Sequence, residues 1–171
     1  MNVGPKLKYR AFGPADSERL QNLIWKVIEV SYRDDYSQAA RDFFKSFHSA
    51  DRVAGRAATG TVLVAELSGR IVATASLSGC EIFAVFVDPD QQGKGYGRRL
   101  MKKMEDIARA SGVAEIHLSV SLPSKRFYES LGYVITQPRE RKLENGELLR
   151  FWSARKLLNK NVPSRSERSF S

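Results

Sequence analysis

Residues 81–120 constrain the fold most, because they read in unbroken succession as a strand, a glycine-rich turn, an amphipathic helix and a second strand. EIFAVFV, residues 81–87, is a short apolar run rich in aromatic and β-branched residues, which suits a buried strand. Leu100, Met101, Met104, Ile107 and Ala108 then recur at helical spacing up to the stop at Ser111-Gly112. EIHLSV, residues 115–120, alternates with Ile116, Leu118 and Val120 on one face. A strand, a helix and a strand in that order imply a crossover with parallel pairing. The expected result is a mixed sheet covered by helices on both faces.

The flanking segments complete an α/β (α+β) chain with a central sheet of about six to seven strands. LKYRAF (7–12) reads as a strand, and Pro14 to Asp16 open a helix carrying Leu20, Leu23, Ile24, Val27 and Ile28 on one stripe. Ser37 is placed to cap a second helix through Phe47, and a third lies between Ala50 and Ala58. TVLVAEL (61–67) and RIVATASL (70–77) flank the two-residue turn Ser68-Gly69. SKRFYESLGY (124–133) reads as a short helix stopped by Gly132, followed by strands at 134–143 and 147–157 joined across Asn145-Gly146. One domain over residues 1–158 is expected, with a polar, basic tail at 159–171 that reads as disordered.

The lone cysteine, Cys80, excludes an intramolecular disulfide and a multi-cysteine zinc site. The N-terminus lacks the apolar core of a signal peptide, and no apolar run reaches the roughly 18 residues of a membrane span. These features suggest a soluble, cytoplasmic protein with no membrane partner and no resident metal. Lys and Arg total 28 against 19 Asp and Glu, so the mean field favours anionic ligands. The chain has no nucleic-acid motif and no regular basic-aromatic stripe, which ranks a nucleic-acid partner far behind a phosphorylated small molecule.

The turn itself indicates which anion. Gly93, Gly95 and Gly97 stand at alternate positions before the helix, beside Lys94, Arg98 and Arg99. Glycine lets the backbone turn tightly and approach a ligand, and a helix start adds unpaired N–H donors and the positive end of a dipole. A phosphate cradle results. The spacing fits neither a Walker A loop nor the dinucleotide fingerprint G-x-G-x-x-G.

Gln92-x-x-Gly95-x-Gly97 after Val87-Asp88-Pro89 resembles the pyrophosphate-binding motif of the GNAT superfamily of acetyl-CoA-dependent N-acetyltransferases. Ser124-x-x-Phe127-Tyr128-Glu129-x-x-Gly132-Tyr133 resembles that family's A-x-x-F-Y-x-x-x-G-F segment, with Ser124 in place of alanine and Ser121 where many members carry asparagine. The resemblance covers roughly residues 7–158. It implies acetyl-CoA as co-substrate, with pantetheine pairing along Val85, Phe86 and Val87. It further implies pyrophosphate contacts from Gln92, Gly93, Lys94, Gly95, Tyr96, Gly97 and Arg98, and further cofactor contacts from Ser121 and Ser124.

In the same terms, Tyr128 matches the family's acid for the leaving thiolate, and Glu81 matches the general base of the histone-acetyltransferase branch. Simple alternation would put Glu81 on the strand face of Phe83 and Val85, opposite Cys80. A water chain in place of Glu81 stays open, with Glu81 then an exposed strand-end carboxylate. His48 and His117 read as surface or structural residues, Cys80 as a half-buried structural thiol, and Asp34-Asp35 between Tyr32 and Tyr36 as a solvated turn beside the acceptor site. The expected activity is acetyl transfer to a primary amine of a small molecule or peptide by direct attack, in a protein compatible with a homodimer. The alternative is a non-catalytic domain that senses acyl-CoA.

Overall fold

In the computed structural model, which describes residues 6–159, strand β1 (Leu7–Ala11) leads through a 3-10 turn at Pro14–Asp16 into helix α1 (Ser17–Ser31). Helices α2 (Gln38–Phe47) and α3 (Ala50–Thr59) follow, and Ser37 caps α2 by accepting from the Ala40 amide. Strands β2 (Thr61–Leu67), β3 (Arg70–Ser78) and β4 (Glu81–Val87) form a meander. Helix α4 (Tyr96–Ala110) crosses to β5 (Glu115–Val120). The short helix α5 (Lys125–Ser130) precedes the hairpin of β6 (Val134–Lys142) and β7 (Leu148–Leu157). The tail expected to be disordered lies, from residue 160, outside the described residues.

The seven described strands form one sheet in the order β1-β2-β3-β4-β5-β7-β6. Only β4 and β5 run parallel, as the crossover through α4 requires. β3 is buried from Ile71 to Leu77 on both faces, which explains its unbroken run of small and branched residues. One face is covered by α4 and α5, where Leu100, Met101 and Met104 are almost fully enclosed with Ile82 and Ile116. The other is covered by α1 to α3, with Leu20, Ile24 and Ile28 packed against Val64 and Phe86. Each such side chain contributes about 1.5–3 kcal/mol through burial, so the two apolar stripes dominate the stability.

Charged clamps set the helices on the sheet. Arg10 donates to both oxygens of buried Asp16 at 2.7 and 2.9 Å and also to Glu66, which locks the start of α1 to β1 and β2. The guanidinium holds the Asp16 carboxyl well below the ordinary carboxylate range. On the opposite face, buried Glu105 of α4 accepts from Lys156 of β7 at 2.9 Å and from the Tyr133 hydroxyl at 2.9 Å.

The hairpin at Asn145-Gly146 is longer than the connection expected between strands at 134–143 and 147–157. Lys142 faces Leu148 across a five-residue connection, in which the Gly146 amide donates to Leu143 O and Gly146 sits at φ +85°. A turn followed by a left-handed glycine is the longer hairpin solution. Leu143 is drawn inward as part of the α1-side core, which explains why the connection lengthens.

Candidate functional site

β4 and β5 share a single paired position, Glu81 with His117, where the His117 amide donates to Cys80 O at 2.9 Å. Beyond it β4 has no strand partner on the β5 side, and a cavity of about 650 Å³ opens along the end of β4, lined also by Pro123, Ser124, Phe127 and Tyr128 from the segment that follows β5. Val85, Phe86 and Val87 line it.

A bulge in β4 shapes this wall. Ala84 takes φ +52°, and the pairing with β3 slips between Thr74 and Ser76. A non-glycine residue in this region is strained by roughly 1–2 kcal/mol, so the surrounding packing holds it there. The slip also corrects the face assignment made from alternation. Glu81 and Phe83 oppose Ser78 and Ser76, on the face that Phe86 then takes opposite Thr74. Val85 instead packs with the α4-side core alongside Ile82 and Val87.

The glycine segment closes one end. Asp88, buried at the end of β4, accepts from the Asp90 amide at 3.0 Å and from Lys26 of α1 at 2.8 Å. The Gln92 side-chain Nε2 donates to Val87 O and to Ser31 Oγ, tying the loop to strand and helix. Gly93 and Gly95 adopt φ +78° and +80°, and Gly95 caps α4. Gly97 is helical but serves close packing, because a Cβ there would lie 3.1 Å from both the Phe127 ring and Val87. Gly95, Tyr96, Gly97 and Arg98 line the cavity, where the first-turn N–H groups have no acceptor within the helix. Of the basic residues, Arg98 reaches the lining. Lys94 turns to Gln91 Oε1 at 2.9 Å, and Arg99 covers the Tyr96 ring.

The other end is aromatic and hydroxylic. Tyr128 is buried between Phe127 and Tyr133, at ring distances of 5.1 and 5.8 Å, and burial pushes its phenol well above the ordinary value of 10. It therefore keeps its proton at neutral pH. Ser124 lines the cavity and Ser121 stands behind it, their hydroxyls 2.6 Å apart. From α1 come Val27, Ser31 and Tyr32, which the sequence reading had not placed in the site. Ser31 and Tyr32 lie one turn beyond Val27 and Ile28, so extending the α1 stripe by one turn would have found them.

The remaining candidates lie apart from this cavity. Glu81 is exposed at the start of β4 and is absent from the lining. Cys80 is exposed at the β3–β4 turn, not half-buried, because the chain reverses through Gly79 at φ +56° and carries it outward. His117 is exposed and pairs with Glu115 at 2.9 Å. Asp34 and Asp35 are exposed in the turn after α1. His48 is buried behind Phe86, with ring centroids 5.0 Å apart, and its Nδ1 accepts from Arg56 at 2.9 Å. No group of acidic, histidine or cysteine side chains suited to a metal occurs among the described residues. No described helix is long and apolar enough to cross a membrane.

Residues 18–133, which contain α1, the bulged strand, the glycine loop and α5, match the family model of the acetyltransferase (GNAT) family. The chain belongs to the GNAT acetyltransferase family. Among GNAT structures, a GCN5-related N-acetyltransferase from Rhodopseudomonas palustris is 28% identical and superposes with a TM-score of 0.81 over 91% of this chain and 97% of that one. The PaiA N-acetyltransferase of Thermoplasma acidophilum, solved in complex with coenzyme A, shares the fold at 15% identity, with a TM-score of 0.74 over 90% and 99% of the two chains. The L-amino acid N-acyltransferase MnaT of Escherichia coli (strain K12) is 38% identical over 88 residues, 44% of this chain and 51% of that protein. An L-methionine sulfoximine/L-methionine sulfone acetyltransferase of Salmonella typhimurium is 36% identical over the same shares. The GNAT chain described here thus spans about half the length of the curated relatives it matches.

Proposed function

We propose that this chain is an acetyl-CoA-dependent N-acetyltransferase that modifies a primary amine of a small molecule or peptide, with amino-acid-like acceptors foremost. The observation that carries the reading is the cavity along the end of β4, lined both by the start of α4 and by the buried phenol of Tyr128. The names of the two curated relatives support an acceptor of amino-acid type.

The site fits the cofactor on its own chemistry. Two left-handed glycines and the first turn of α4 supply N–H donors for a diphosphate, and Arg98 adds charge. The unpaired edge of β4 at Val85–Val87 offers backbone groups to an extended amide-bearing arm, as a missing strand would. When bound, acetyl-CoA supplies an activated thioester. The Val85 amide, in the bulged stretch, is the candidate donor to the oxyanion formed on acyl attack. Tyr128 Oη holds a proton for the departing sulfur. Gln92, Lys94, Ser121 and Ser124 have supporting parts in this reading. Gln92 braces the loop and Lys94 orders it from outside.

The test is thiol release from acetyl-CoA across L-amino acids, L-methionine sulfone, polyamines, aminoglycosides and N-terminal peptides, with calorimetry of cofactor binding alongside. Turnover with at least one amine is expected. Tight binding without thiol release from any acceptor would replace transfer with acyl-CoA sensing. Absence of binding would remove both.

A further inference from the structure

An amine in water at neutral pH is mostly protonated, and the nitrogen sheds a proton before or as it attacks. Resting on the transfer reading above, the question is where that proton goes. Among the described residues, no carboxylate or imidazole stands in the lining of this cavity to act as the usual acceptor. Glu81 is exposed at the far end of β4, and His48 lies behind Phe86 with its Nδ1 already accepting from Arg56.

The α1 wall carries a different device. Tyr32 lines the cavity yet is only 7% exposed, and its phenol lies near the hydroxyls of Ser121 and Ser124, which oppose the upward shift that burial causes. Those two serines are bonded to each other at 2.6 Å and are only half-buried, beside exposed Pro123. The three hydroxyls form one cluster, with Tyr32 and Ser124 on the cavity and both serines partly open to solvent. Their scaffold is rigid, because Tyr36 packs its ring 5.5 Å from Tyr32 and its hydroxyl bridges the Leu122 amide at 3.0 Å and Arg150 O at 2.7 Å. This bracket holds α1 against the segment bearing both serines. Tyr32 and Tyr128 line the same cavity, so one phenol can serve the nitrogen while the other serves the sulfur.

We infer that Tyr32, Ser124 and Ser121 form a proton relay that takes the proton from the acceptor amine and delivers it to solvent. The N–H bond of the amine breaks as its proton joins the Tyr32 oxygen. The Tyr32 O–H proton passes to Ser124 Oγ, that of Ser124 passes to Ser121 Oγ, and that of Ser121 passes to water. Each hydroxyl ends with one proton, as it began. No group ionises durably, which suits a phenol whose burial favours its neutral form.

Tyr32→Phe tests the relay, since it keeps the ring that packs on Tyr36 and Phe44. Using the best acceptor from the panel, kcat is expected to fall roughly 10²-fold, in the range of one proton-transfer group. Acetyl-CoA Kd should stay within about twofold, and the rate should become dependent on pH up to the amine's own pKa. Ser124→Ala should move both quantities in the same direction. A readout independent of turnover is the NMR signal of Tyr32 in protein carrying ¹³Cζ-tyrosine. It should stay in the phenol range from pH 6 to 9. An unchanged kcat and pH profile in Tyr32→Phe would overturn the relay, as would a phenolate signal for Tyr32 within that range. If the wild type binds acetyl-CoA but acetylates nothing in the panel, the transfer reading fails and takes the relay with it. If transfer proceeds and Glu81→Gln alone shifts the pH profile, only the relay falls.

Discussion

Tyr128 shows how one residue obtains its chemistry from its surroundings. A phenol is a weak acid in water, and enclosure between Phe127 and Tyr133 makes it weaker, because phenolate loses its hydration there. Such a group keeps its proton at neutral pH and offers it as a hydrogen bond to negative charge growing on the departing sulfur, because a thiolate is a weaker base than a phenolate. Tyr128→Phe is therefore expected to lower kcat by about 10²-fold while calorimetry shows acetyl-CoA affinity nearly intact. Equal turnover would remove Tyr128 from the chemistry. Its candidacy was legible in the Phe127-Tyr128 segment, since the residue and its helix are adjacent in sequence. The exposure of Glu81, away from the cavity lining, was not legible. Eleven residues before Gln92 is a statement about distance along the chain, whereas exposure depends on where β3, β5 and the bulge leave the strand end.

At the scale of elements, the glycine loop and α4 form one device with two kinds of glycine. Gly95 is needed for conformation, since φ +80° strains any residue with a Cβ. Gly97 is needed for space, since its missing Cβ admits the Phe127 ring and Val87. The two substitutions should therefore respond differently to a second change. Gly97→Ala is expected to weaken acetyl-CoA binding by pushing α4 off Phe127, and Phe127→Leu should recover part of the loss by yielding space. Gly95→Ala should weaken binding through backbone strain, of about 1–2 kcal/mol, and Phe127→Leu should not relieve it. Calorimetric Kd values for the four variants check the pattern, and equal rescue of both would contradict the division. The strand-turn-helix order behind this device could be read directly, because apolar period and glycine placement are local properties. The bulge at Ala84 could not. Alanine carries no preference for φ +52°, so only the demands of β3 and the flanking cores put it there.

At the scale of the molecule, the two cores meet through β4, and His48 reports on one of them. The imidazole sits behind Phe86, and burial, helped by Arg56 and Arg52, lowers its pKa to about 3. An unfolded histidine titrates near 6.5, so between about pH 6.5 and 3 the unfolded chain binds the extra proton. Stability contributed by neutral His48 is fully present above pH 6.5 and is lost as pH falls through that window. The expected loss is about 1.4 kcal/mol per pH unit below 6.5 from this group. Urea melts of wild type and His48→Gln at pH 7 and 5 should show a smaller pH effect in the variant, and an identical effect would exclude His48 as the source. The alternation of polar and apolar residues determined the strands, the helices and the crossover by itself, because each rests on neighbours within a few positions. Two glycine-bearing motifs likewise marked the loop and α5. Only the tertiary structure decided that β4 and β5 part after one pair and that α1 supplies Ser31 and Tyr32 to the gap. It alone brought Tyr32 to Ser121 and Ser124 and left Glu81 outside. Those outcomes depend on packing between residues distant in the chain, where many sequences with the same local periods would differ.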